Sequence, residues 1–223
     1  MSPPRLALLA GATGLVGRAL LPLLLRSHAS VEVLVRRAVP ELGADPRANV
    51  HVVDFASLPA SLPAVDDAFI ALGTTIKVAG SQAAFRSVDR DAVLAAARAA
   101  RKAGATRLAV VSALGADRSS GVFYNRVKGE MEEAIAGLGF ESIVIARPSL
   151  LSGDRAALGQ PVRAGEVWAT RLVAPFRALV PAGVRPIEAA AVAAAMIDAL
   201  AQAKPGVRVL ASAEMQRFSL RHA

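Results

Sequence analysis

A chain of 223 residues, 54% hydrophobic and with a formal net charge of +8, is long enough to bury an α/β core without covalent staples. The absence of cysteine excludes a disulfide framework, a thiolate zinc site and a cysteine nucleophile; the histidines (His28, His51, His222) lack carboxylates at ligand spacing, so no metal site is expected. The positive excess is arginine scattered among alanines, as in Arg98-Ala99-Ala100-Arg101-Lys102, without interleaved aromatics, and no nucleic-acid partner is expected.

Along the chain, short apolar runs alternate with longer helical stretches. Residues 5–10 form the first expected strand and 15–26 the first helix. The stretch from Leu6 to Leu25 is apolar except for Arg18 and has the length of a membrane span, but the glycines within it suit a strand, a tight turn and a buried helix better. No membrane partner is therefore expected, and the chain reads as cytoplasmic. Strands follow at 31–35, 50–53 and 68–72, the first of them rich in β-branched residues. A long helix is predicted over 83–103 with a left-handed cap at Gly104, then a strand over 108–112. A helix over 123–138 capped by Gly139, a strand over 142–146, a helix over 189–201 and a strand over 207–211 complete the series. This alternation is that of an α/β protein with a Rossmann-type doubly wound parallel sheet, flanked by helices on both faces. One domain is expected to span 1–223. Residues 149–186 break the rhythm with several Gly and Pro and the only tryptophan, Trp168. Together with the C-terminal helix they are expected to form a small, irregular substrate-side lobe.

Gly11, Gly14 and Gly17 sit between an apolar strand and an apolar helix, in the run Gly11-Ala12-Thr13-Gly14-Leu15-Val16-Gly17. The first glycine permits a tight turn, the second lets a pyrophosphate approach the backbone, and the third lets helix and strand pack closely. Unpaired N–H groups at the helix start then face the phosphate charge. Arg36 and Arg37 follow the second strand, where an acidic residue would bind a ribose 2′-hydroxyl and arginine suits a 2′-phosphate. The cofactor expected is NADP(H).

Tyr124, the only tyrosine, and Lys128 lie four residues apart on a predicted helix and so share one face. Ser112 ends a strand at the carboxyl edge of the sheet, where ligands of open α/β sheets bind. Carbonyl reduction needs a proton donor for the developing alkoxide; a phenol beside an ammonium can serve, and a serine hydroxyl can orient the carbonyl.

These residues together resemble the short-chain dehydrogenase/reductase superfamily in its extended-to-atypical branch, and more narrowly the small oxidoreductases related to the Tat-interacting protein. The likeness rests on the glycine run at 11–17, Arg36-Arg37, Ala71-Leu72-Gly73-Thr74-Thr75 and Val88-Asp89-Arg90-Asp91. It continues through Ser112 with Gly115-Ala116-Asp117, Tyr124, Lys128-Gly129-Glu130 and Arg147-Pro148. The resemblance implies that Asp54-Phe55 lie near the adenine and that Leu72, Gly73 and Thr74 line the cofactor. It makes Tyr124 the acid/base with Lys128 its partner, and packs Pro148 against the nicotinamide. Arg163 is a further implied contact. Where members of the group often carry two hydroxyl residues, this chain reads Ser112-Ala113. The first function expected is reduction of a small carbonyl substrate. The alternative is a non-enzymatic NADP(H)-binding regulator, and sugar-nucleotide epimerisation is disfavoured by the small C-terminal part. The helices at 83–103 and 123–138 pair across dimer interfaces in many relatives, so the resemblance also allows a homodimer.

Overall fold

The computed structural model describes residues 4–152, 181, 183–202 and 204–221. The chain runs β1 (Leu6–Ala10), α1 (Leu15–Ser27), β2 (Ser30–Val35), β3 (Ala48–Val52) and β4 (Asp67–Ile70). It continues through α2 (Ile76–Ala79), α3 (Gln82–Arg86), α4 (Val93–Lys102), β5 (Arg107–Val111), α5 (Phe123–Ala136) and β6 (Ser142–Arg147). The last elements are β7 (Leu151–Ser152), β8 (Ile187–Glu188), α6 (Ala189–Ala201), β9 (Gly206–Ala211) and α7 (Ser212–Met215). Seven strands form a parallel sheet in the order β3-β2-β1-β4-β5-β6-β9. The order reverses between β1 and β4, and ligands of open α/β sheets bind at the carboxyl ends of strands beside such a reversal.

Burial explains why the central strands read as unbroken apolar runs. On β1, Ala7 and Leu9 pack with Leu20 and Leu24 of α1 and Val192 and Met196 of α6. Leu8 and Ala10 face the other layer, with Val93 and Ala97 of α4 and Met131 and Ile135 of α5. Both faces are covered, so alternation with polar residues is lost. No helix among the described residues is long and apolar enough to cross a membrane.

All seven expected strands are present. The expected helix over 83–103 is divided: α3 and α4 are joined by one π-helical turn at Ser87–Ala92, a local widening that periodicity alone does not reveal. Gly104 has a φ of 104°, as a left-handed cap requires. In the C-terminal part, β7 and β8 pair in parallel, so the chain leaves at Ser152 beside the point where it returns at Ile187. Ser212 Oγ donates to Ser149 Oγ at 2.9 Å, and Gln216 Nε2 donates to the Arg185 carbonyl at 3.0 Å, which ties the end of the chain to this junction. The readings placed on Arg163 and Trp168 lie outside the described residues.

Candidate nucleotide and carbonyl site

The segments singled out in the sequence follow successive strands at one edge of the sheet. The glycine run follows β1, Arg36-Arg37 follow β2, Asp54 follows β3, Leu72–Thr74 follow β4, Ser112 follows β5 and Pro148 follows β6.

The three glycines have distinct physical reasons. Gly11 has a φ of 95°, and a Cβ there would lie 2.5 Å from the Ala71 carbonyl. A Cβ on Gly17 would lie 2.0 Å from the Gly11 carbonyl oxygen, so α1 can rest on the loop only without a side chain. Gly14 differs. Its Cβ would come no closer than 3.5 Å to Gly11 O, so the protein's own packing does not demand a glycine, whereas a ligand touching that backbone would. Gly14 N donates to Gly11 O at 3.0 Å and closes the turn. The start of α1 has no side-chain cap and no acidic residue in its first turn, which leaves the N–H groups of Leu15, Val16 and Gly17 without intrahelical acceptors. Thr13 is exposed in the same loop.

Arg36 and Arg37 are exposed and meet no carboxylate among the described residues. Asp54 is exposed as well, and its Oδ1 accepts from Ala56 N at 2.9 Å, which shapes the turn that buries Phe55. The residues present therefore fit a phosphorylated dinucleotide: free N–H groups, an open backbone at Gly14 and two uncommitted guanidiniums.

Ser112 is only 4% exposed, and its Oγ has no hydrogen-bond partner among the described residues. Ala113 beside it is buried. Tyr124, on the first turn of α5, is half-buried, and its ring lies 5.3 Å from that of Phe85. Lys128 is buried, with its Nζ 2.8 Å from Asp89 Oδ1; Asp89 Oδ2 accepts from Thr74 N at 2.8 Å. The ammonium thus bonds to a carboxylate from the π turn. Arg147 forks onto Glu132 of α5, and the Pro148 carbonyl accepts from Leu114 N at 2.8 Å. Hydrogen bonds from Arg86 hold the Glu130 carboxyl below its usual range and tie α3 to α5.

Asp89 and Glu132 were not picked out as site residues in the sequence. Their signal is a carboxylate on an apolar stripe: Asp89 falls between Phe85 and Val93, and Glu132 beside Val127, Met131 and Ile135. Gly129 had no stated role either. A Cβ there would lie 2.1 Å from Arg118 N, so this mid-helix glycine admits the loop after β5.

Residues 11–203 match a family described as NAD(P)H-binding. The chain belongs to that family. It is 38% identical to the protein FMP52, mitochondrial, of Eremothecium gossypii, over 94% of this chain and 95% of that one. It is also 38% identical to the protein HTATIP2 of Rattus norvegicus, over 72% of this chain and 66% of that one. Among solved structures, MoeE5 in complex with UDP-glucose and NAD superposes with a TM-score of 0.68 at 18% identity, over 92% of this chain and 74% of that one. These matches establish an NAD(P)-binding protein of the atypical short-chain dehydrogenase/reductase kind. They also correct one expectation. Several of the curated relatives are named as mitochondrial proteins, so the cytoplasmic reading falls. It rested on missing cysteine and on the glycine-interrupted apolar stretch, which report on redox chemistry and fold rather than on compartment.

Proposed function

We propose that this NAD(P)H-binding protein is an NADP(H)-dependent oxidoreductase acting on a small carbonyl compound. The observation that carries this reading is the Ser112 hydroxyl, buried and without a partner among the described residues at the carboxyl edge of β5. A buried polar atom without a partner calls for one, and a carbonyl oxygen is an acceptor that a serine O–H can satisfy. Gly14 and the first turn of α1 would hold the pyrophosphate, and Arg36 and Arg37 the 2′-phosphate. Leu72, Gly73, Thr74 and Pro148 would line the remainder of the cofactor. When bound, the reduced nicotinamide supplies a hydride. Ser112 orients the carbonyl, and Tyr124 gives its phenolic proton to the carbonyl oxygen.

The preference for NADP(H) over NAD(H) rests on the two arginines. MoeE5 holds NAD, but at 18% identity its likeness speaks for the fold alone. Titration calorimetry at moderate salt should show NADPH binding at least tenfold more tightly than NADH, and Arg36→Ala/Arg37→Ala should erase the difference. Equal affinities in the unaltered protein would remove the NADP reading. Tyr124→Phe should lower turnover in a carbonyl panel by at least about a hundredfold, within the range for general acid catalysis, while NADPH affinity stays within a few fold. Full activity in that variant would end the role given to Tyr124.

A second reading, a cofactor-dependent regulator without turnover, is favoured by Ala113, which leaves Ser112 as the only hydroxyl of the pair. It predicts silence across the panel and a protein partner whose affinity changes with NADPH.

A further inference from the structure

Lys128 and Asp89 form the most deeply buried ion pair among the described residues, with side chains 4% and 1% exposed. One carboxylate oxygen holds the ammonium of α5 at 2.8 Å, and the other accepts from the Thr74 N–H after β4 at 2.8 Å. Each oxygen of Asp89 thus has its donor, whereas the ammonium carries three N–H donors and meets no second acceptor among the described residues. A Cβ on Gly73 would stand 3.3 Å from Asp89 Oδ1 and 4.0 Å from Lys128 Nζ. Gly73 itself is exposed, so the pair lies directly beneath an open stretch of backbone. The π turn at Ser87–Ala92 brings Asp89 there, between the fully buried Phe85 and Val93. Stability alone does not call for this arrangement: burying two charges is costly, and an apolar pair of equal volume holds helices together at least as well.

We propose that Asp89 is a positioning residue for the half of the cofactor that carries the nicotinamide, acting through Lys128 and the Thr74 backbone. This rests on the reading that Leu72, Gly73 and Thr74 line that half. The ribose joined to the nicotinamide presents neighbouring hydroxyls, and the donors left on the ammonium suit their oxygens. A lysine has a flexible stem and no fixed direction of its own. Asp89 supplies that direction. By taking the Thr74 N–H with its other oxygen, it also fixes the same ammonium relative to the loop after β4. One carboxylate thereby sets the spacing of the two surfaces that would meet the ribose, before any cofactor arrives. The adenine half is served by other segments. The glycine loop follows β1, Arg36 and Arg37 follow β2 and Asp54 follows β3, and none of these is among the groups that Asp89 holds. The effect of Asp89 is therefore confined to one end of the dinucleotide.

Calorimetric titration of the full chain with NADPH and with ADP tests this, because ADP has the adenosine and the diphosphate but no nicotinamide riboside. In Asp89→Asn a single amide oxygen faces both donors, and the ammonium loses its counter-charge. NADPH affinity should fall by about tenfold or more, the worth of one charge-assisted hydrogen bond, while ADP affinity stays within about twofold. Equal losses for both ligands would mean that Asp89 only supports the fold, and unchanged NADPH affinity would mean that the ammonium needs no orienting partner; either result overturns the proposal. Should Asp89→Asn fail to fold, Asp89→Asn/Lys128→Met, which buries no charge at this position, takes its place. The same split between NADPH and ADP is expected there, and undiminished NADPH binding would overturn the proposal. A missing carbonyl substrate, or equal affinities for NADPH and NADH, would count against the oxidoreductase reading and leave the comparison of NADPH with ADP intact.

Discussion

Replacing Gly17 by alanine is expected to abolish measurable NADPH binding and to destabilise the fold by about 3 kcal/mol, the upper end for overpacking. The new Cβ would meet backbone alone: Gly11 O at 2.0 Å, Gly11 C at 2.6 Å and Ala12 Cα at 2.8 Å. No side chain is there to rotate away, so α1 must move off the loop. That movement carries the N–H groups of its first turn away from the place proposed for the pyrophosphate. A misplaced donor set should lose at least a hundredfold in affinity, about 2.7 kcal/mol. Gly137→Ala is the control. At the end of α5, its Cβ would lie 3.7 Å from Ala134 O, an ordinary contact, and φ there is −84°. Calorimetric titration with NADPH and urea unfolding of both variants separate the cases. Near-native affinity in Gly17→Ala would mean that the loop does not hold the cofactor by close helix–strand approach.

The sheet was legible because parallel strands covered on both faces are written as apolar, β-branched runs, and each of the seven runs found its place. The glycine loop after β1 was legible for a related reason: Gly11 is fixed by its contact with Ala71 and Gly17 by its contact with Gly11. The pairing of Lys128 was not. Tyr124 and Lys128 sit on one helix and can be matched by spacing, but Asp89 comes from a separate element, and only the π turn brings its carboxylate to the ammonium. Asp54 shows a different limit. Its position after β3 was foreseen, yet its side chain also caps Ala56, a use that any turn makes of aspartate. The paired glycine and loop at Gly129 and Arg118 likewise depend on a tertiary approach, for which a glycine inside a helical pattern is the only trace.

The edge of the sheet opposite the proposed cofactor side carries the other large expected effect. Asp67→Asn should lower stability at neutral pH by about 3 kcal/mol, the low end for breaking a buried ion pair, because two of its partners still reach solvent. Asp67 begins β4 and is 1% exposed. Arg107, its register partner on β5, donates to it from Nε and Nη2 at 2.7 Å, and Arg5, just before β1, from Nε and Nη2 at 2.8 Å. His28 Nε2 lies 3.0 Å from Oδ2. Burial by itself would push this carboxyl up; the hydrogen bonds from Arg107, His28 and Arg5 outweigh it and hold the group well below the usual carboxylate range. A folded-state value below the unfolded value of about 3.9 means that the charged group stabilises the fold above about pH 4, and that this contribution is lost as pH falls. The difference between the unaltered protein and Asp67→Asn should therefore be constant from pH 5 to 7 and shrink progressively below pH 4. For a chain of this size, 3 kcal/mol corresponds to a melting-temperature drop of roughly 6–12 °C. Denaturant melts across that pH range measure both the size and the slope. A difference that persists unchanged to pH 3 would mean that shape, rather than the charge of Asp67, joins the starts of β1, β4 and β5.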